Sequence, residues 1–317
     1  MSVYNGEFWV RNAIESVLDQ TYPDFEFLVI NDGSYDKTSS IINSYSDSRI
    51  RIIEQENKGL TQSLNIGLNK AKGHYIARID ADDICEPHRL EFQKLFMDEN
   101  LDVALVGSNF TMISGSGNLI RDYKCPTLHE GIIEKLHNFE PIFPHSSIFF
   151  RKKIVLKENG YNERFFKSQD SDLYLRISSK YKIACINKSL VKIRLNEVGI
   201  TYSDENQLLY GLAALICHFR RQAGTLDFSK IDVENNKEWE LFLLSIRSWL
   251  SKNRTFELFK LKGKARSLYN KFNFRKLLSL VKLLMQIIKS NPKSIFTGNK
   301  IKDFSNDLKY FIEEYEH

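Results

Sequence analysis

Ile76-Ala77-Arg78-Ile79-Asp80-Ala81-Asp82-Asp83 carries an apolar run into three carboxylates within four positions. Tyr75 to Ile79 is β-rich and mostly apolar, the pattern of a strand buried on both faces of a parallel sheet. Glu86-Pro87 follows, and Pro87 suits the first turn of a new helix. The acids thus fall at the C-terminal end of a strand, where open α/β sheets bind their ligands. Carboxylates this close repel one another, so a cation is expected among them. Hard oxygen donors suit Mg²⁺ or Mn²⁺, which can in turn hold phosphates. The other reading of Asp-x-Asp is a solvated acidic turn with a helix cap.

Upstream, the same alternation repeats. Met1 to Tyr4 reads as the end of a strand, and Phe8, Val10, Ala13, Ile14, Val17 and Leu18 fall at helical spacing. Phe25 to Ile30 is a strand running into Asn31-Asp32-Gly33-Ser34, Asp36 to Tyr45 suits a helix, and Ile50 to Glu54 a third strand. Leu60, Leu64, Leu68 and Ala71 space a helix that Gly73 stops. Strand–helix alternation implies right-handed crossovers and a nucleotide-binding type of parallel sheet. Neither GxGxxG nor GxxxxGK[ST] occurs, so no dinucleotide site or P-loop is indicated. Asp32 leaves its strand at the same sheet edge as Asp80, beside a glycine that permits close approach. There it can accept from a pyrimidine N3–H or a ribose hydroxyl, or simply cap a helix.

Downstream, a helix is expected from Arg89 to Glu99, a strand over Val103–Val106, and a hairpin from Asn109 to Tyr123 around Ser-Gly-Ser-Gly. His145 falls in a β-rich stretch, as a ligand, an acceptor contact or a satisfied core histidine. Asp170 opens a helix whose Leu173 and Ile177 share a buried side. A helix N-terminus stabilises an anion, which suits a carboxylate base as well as a plain cap.

The 317 residues allow one large domain with an appendage. Apolar and charged fractions of 42% and 27% are those of a soluble globular protein. Cys85, Cys125, Cys185 and Cys217 form no CxxC pair and read as reduced thiols of a cytoplasmic protein. The polar opening suggests no signal peptide, and no apolar run is long enough to cross a bilayer. Residues 251–302 hold fourteen Lys or Arg against one acid, Glu257. That block is +13, which leaves −8 elsewhere for the net +5.

Taken together, MSVYNGE (1–7), AIESVLDQTYPDFEFLVINDGSYDKT (13–38), ENKGLTQSLNIGLNKAKGHYIARIDADD (56–83) and QDSDLYLR (169–176) resemble glycosyltransferase family 2, the inverting enzymes of the GT-A fold. The resemblance runs from Met1 to about Gly224. It implies an α/β GT-A domain, a Rossmann-like and mainly parallel twisted sheet flanked by helices, over 1–224, with a helical, basic region over 225–317. It also implies that Val3, Tyr4, Glu7, Asp32, Asp80 and Ala81 line the site of a nucleoside-diphosphate sugar, with UDP the expected carrier. Asp82 would ligate Mn²⁺ or Mg²⁺, and Asp170 would be the general base. Gln169 stands where the family has Glu, and Leu64 where many relatives have Arg. Relatives also carry further apolar residues before SVYNG, so extending the chain upstream with such residues is expected to raise its melting temperature.

The expected activity is transfer of a sugar to a hydroxyl of a saccharide or lipid-linked saccharide in cell-surface polysaccharide synthesis, typical of bacterial capsular, exopolysaccharide and lipopolysaccharide enzymes. A metal-dependent nucleotidyltransferase and a catalytically silent nucleotide-sugar-binding protein are the alternatives. In 274–289, Arg275, Lys282, Gln286 and Lys289 fall on one side and apolar residues largely on the other. This segment suits an anionic membrane surface, placing the enzyme peripherally on the inner face of the membrane; a packed helical cap or dimer contact is the plainer reading. Nucleic acid is not expected, since no recognised fold or stacking pattern accompanies the charge.

Overall fold

The computed structural model describes residues 1–195, 205–224, 229 and 236–252. Its first third is three strand–helix units: β1 (Ser2–Val3), α1 (Val10–Leu18), β2 (Phe27–Asp32), α2 (Thr38–Ile42), β3 (Ile50–Gln55) and α3 (Leu60–Lys70). The strands form a parallel sheet in the order β1-β2-β3, with Val3 beside Asn31 and Asp32 beside Gln55. Every residue of β2 is buried, as expected of a parallel strand covered on both faces.

Next come β4 (Tyr75–Ala77), β5 (Ile84–Cys85), α4 (Arg89–Glu99), β6 (Val103–Ile113), β7 (Leu119–Tyr123) and α5 (His129–His137). They are followed by β8 (Phe149–Arg151), α6 (Lys152–Lys157), α7 (Gln169–Ser178), β9 (Lys182–Arg194), α8 (Glu205–Gln222) and α9 (Asn236–Lys252). A second, mixed sheet runs β4-β8-β6-β9-β5, with β7 added to β6. Its spine is the long parallel pair β6–β9, and the expected hairpin joins β6 to β7 through Ser114-Gly115-Ser116-Gly117. Val10, Ile14 and Val29 of the first layer share a core cluster with Ile79, Cys85 and Val191 of the second.

Two local expectations change. Tyr75–Ala77 pairs antiparallel with β8 and is only half-buried, instead of lying within a parallel sheet. An apolar run reports burial but not the direction of the neighbour, and here that neighbour arrives seventy-odd residues later along the chain. His145 lies in a short 3₁₀ turn, His145–Ser147, just before β8.

The chain divides into two compact units, Met1–Leu136 with Glu140–Gly199, and His137–Phe139 with Ile200–His317. In the second unit Leu208 to Arg220 are buried throughout α8, and α9 buries Trp239, Phe242, Ile246 and Leu250. The ring of Tyr210 packs 6.3 Å from that of Trp239. The amphipathic stretch 274–289 lies outside the described residues. Among those described, no helix is long and apolar enough to cross a membrane. All four cysteines are free thiols.

Candidate active site

After β4 the chain turns through Asp80–Asp83 and re-enters the second sheet at β5. One carboxylate oxygen from each of Asp80, Asp82 and Asp83 lies within 4.8 Å of those of the other two. Burial, then the charge of Asp80, pushes the Asp82 carboxyl up to about 6. Asp83 is 4% exposed, and burial with the charges of Asp80 and Asp82 lifts it well above the ordinary carboxylate range. Three carboxyl groups are thus held together against both repulsion and desolvation.

Part of the compensation comes from within the chain. Arg78, 5% exposed, grips both oxygens of Asp80 with its guanidinium, and its Nη1 lies 3.1 Å from Ser146 Oγ. Ser146 Oγ accepts from the Asp80 amide at 3.1 Å and stands within donating reach of Asp80 Oδ2, at 2.9 Å, and of Asp83 Oδ2. From the end of β9, the Arg194 amide donates to Asp83 Oδ1 at 2.8 Å and its Nε to the Asp82 carbonyl at 2.9 Å. Arg89, buried on α4, donates through Nη2 to the carbonyls of Arg78 and Ile148 at 2.7 and 3.1 Å. The strand end is therefore braced from behind.

The first sheet comes close to these acids through the loop after β1. A methyl group at Gly6 would stand 3.8 Å from that of Ala81, so the loop after β1 lies against the acidic turn. The Val3 side chain is buried in the core. The exposed rings of Tyr4 and Tyr35 meet edge to face with centroids 6.0 Å apart. Glu7 accepts from the Lys37 amide at 3.0 Å, and its own amide donates to Asp36 Oδ2 at 3.1 Å. Asp32, 2% exposed, accepts from Gln55 Nε2 at 2.6 Å and from the amides of Lys58 and Gly59 at 2.8 and 2.9 Å. Its carboxylate fastens the loop that leads into α3. Gly33, at φ +75°, passes so close to Asn57 that a Cβ there would stand 2.6 Å from its amide nitrogen.

Asp170 lies in the first turn of α7 and takes the amide of Ser171 on Oδ1 at 2.8 Å. Burial raises its carboxyl above the usual range; Arg78 pulls it down and Asp80 pushes it up. Asp170 thus shares an electrostatic environment with the Arg78–Asp80 pair. Tyr161 belongs to it too, its phenol raised chiefly by burial and acted on by Arg78, Asp170 and Asp80. His145 Nε2 and Tyr161 Oη lie 2.9 Å apart, and burial together with Arg78 holds the imidazole neutral. His145 is a satisfied core histidine.

Sequence reasoning picked out the acids but missed Arg78, Ser146 and Arg194. Only Arg78 left a usable signal. It sits two residues before Asp80 in an extended segment, hence on the same side.

The family model described as Glycosyl transferase family 2 matches residues 1–158. An uncharacterized glycosyltransferase of Methanocaldococcus jannaschii is 34% identical over 257 residues, covering 79% of this chain and 86% of its own. The O-antigen biosynthesis glycosyltransferase WbnJ of Escherichia coli is 36% identical over 180 residues, 56% of this chain and 69% of its own. In fold, S. aureus TarS 1-349 in complex with UDP-GlcNAc superposes with a TM-score of 0.58 at 15% identity, over 89% of this chain and 90% of that one. The braced acids at the strand end and the shared sequence over most of the chain lead to one assignment: the protein belongs to glycosyltransferase family 2.

Proposed function

We propose that this glycosyltransferase is inverting and moves a sugar from a nucleoside diphosphate, UDP in the first instance, to a hydroxyl of a saccharide or lipid-linked saccharide in cell-surface polysaccharide synthesis. The observation that carries the reading is the electrostatic neighbourhood of Asp170 and the acids around Arg78. Inversion needs a base on the face of the sugar opposite the departing diphosphate. A carboxyl raised above its usual range by burial is a stronger base than a solvated one, and such proton removal contributes roughly 10²–10⁴-fold. Asp170 takes this role. TarS, solved with UDP-GlcNAc and with UDP, supports a uridine carrier; WbnJ, named for O-antigen biosynthesis, supports the polysaccharide context.

The donor set fits a hard divalent cation. Three carboxylates with an oxygen each inside 4.8 Å form an all-oxygen group of the kind Mn²⁺ and Mg²⁺ prefer. Asp82, with Asp80 and Asp83, would hold it, and when bound it would supply Lewis-acid stabilisation of the leaving diphosphate. The chain's own residues orient the reactants. Tyr4 offers an exposed ring to the nucleobase, and Val3, Glu7, Asp32 and Ala81 shape the pocket around base and ribose. Arg78 fixes the orientation of Asp80 beside the cation and the donor.

A panel of nucleotide sugars with Mn²⁺, read by thermal shift and nucleoside diphosphate release, tests the reading. Asp170→Asn is expected to lower kcat by roughly 10²–10⁴-fold while leaving UDP binding in place. Retained turnover, or release of pyrophosphate instead, would sink it. We further assign the basic stretch 274–289 to an anionic membrane surface. Sedimentation with anionic liposomes at low salt, reversed at high salt, is the expected outcome.

A further inference from the structure

We infer that Arg194 is a positioning residue for the cation site, a strut that locks the acidic turn to the tip of the β6–β7 hairpin. The inference rests on the reading of Asp80, Asp82 and Asp83 as that site. Arg194 ends β9 and is 8% exposed. Its guanidinium reaches two ways. Nε donates to the Asp82 carbonyl at 2.9 Å, while Nη1 donates to the carbonyls of Gly115 and Ser114 at 2.8 and 3.3 Å. Its amide meanwhile holds Asp83 Oδ1 at 2.8 Å. Four contacts from one residue therefore fix two of the three acids and bind them to a turn about thirty residues further along the chain.

The chemistry requires such a brace. Acids that repel one another splay apart unless their backbone is fixed, and a splayed set must be gathered again before it can hold an ion. Groups behind metal ligands carry much of a site's affinity for this reason, and losing one weakens binding roughly 10–100-fold. A planar guanidinium spreads five donors over a rigid fork and so spans carbonyls on two sides, whereas an ammonium gathers its three donors on one atom. The hairpin tip is otherwise exposed, with Gly115, Ser116, Gly117 and Asn118 all open to solvent. Through Arg194 it becomes mechanically part of the acidic turn.

The test is Mn²⁺ alone titrated into the full chain, with free Mn²⁺ read by its paramagnetic resonance signal. Arg194→Met is expected to bind Mn²⁺ about 10–100-fold more weakly than wild type. Arg151→Met is the control, since Arg151 likewise donates to several backbone carbonyls (Val103, Met97 and Asn100) but away from the acids. It should lower the melting temperature and leave Mn²⁺ affinity unchanged. Arg194→Lys keeps the charge and should fall between wild type and Met, which also serves if the Met variant does not fold. Hydrogen exchange at 114–118 should slow on Mn²⁺ addition in wild type and not in Arg194→Met. Wild-type affinity in Arg194→Met or Arg194→Lys overturns the strut, as does equal weakening in Arg151→Met. If wild type binds no Mn²⁺, or Asp82→Asn binds it as well as wild type does, the cation site itself is wrong and the strut falls with it.

Discussion

Asp82 shows what assembling this site does to stability. Its carboxyl stands near 6, against an ordinary 3.8, because burial and Asp80 disfavour the charged form. A raised carboxyl favours the folded state while protonated, so that contribution is complete below about pH 4 and lost as pH rises through about 6. At neutral pH the ionised group is a liability on the order of 1–3 kcal/mol. Asp82→Asn should therefore raise the melting temperature of the chain in EDTA by several degrees at pH 7.5, with a smaller gain at pH 5. Melting curves at both pH values check this; a gain independent of pH would contradict the assignment. The acids themselves were legible in the sequence, because three carboxylates ending an apolar run are a local pattern. Ser146 and Arg194 were not. They reach the acids across 66 and 111 residues of chain, and nothing near either in sequence announces the partner.

At the scale of elements, α3 depends on a carboxylate from another strand. The amides of Lys58 and Gly59, just ahead of Leu60, donate to Asp32 at the end of β2. Removing that acceptor takes two partly buried hydrogen bonds from the segment ahead of α3, about 1–3 kcal/mol together. Asp32→Ala should thus lower the melting temperature as well as weaken UDP binding. Loss of UDP binding at unchanged stability would mean that the carboxylate serves ligand alone. On β6, a Cβ at Gly107 would sit 2.1 Å from Phe143 Cγ, a ring that is itself buried. Gly107→Ala should destabilise the chain by about 1–3 kcal/mol or more through overpacking, measurable by urea denaturation. The early elements were readable because their apolar spacing is clean: the strand expected over Ile50–Glu54 is β3, Ile50–Gln55, and the helix from Arg89 to Glu99 is α4. Strand direction was not readable at β4, since it depends on β8, which the chain supplies only after three more strands and two helices.

Across the first compact unit the two sheets keep separate hydrogen-bond ladders, β1-β2-β3 in one and β4-β8-β6-β9-β5 with β7 in the other. Between them lie side-chain packing, the close approach of Gly6 to Ala81 and single hydrogen bonds such as those from the Cys85 amide to Ser16 Oγ and from Thr61 Oγ1 to the Phe165 carbonyl. On the proposed function, nucleobase and ribose contacts would come from the first sheet and the acids from the second, so the donor site would straddle a seam that no ladder stitches. Such a seam can shear without melting either half. Mild denaturant should accordingly abolish nucleotide affinity well before far-ultraviolet ellipticity declines, and amides of the long β6–β9 pair should be the last to exchange.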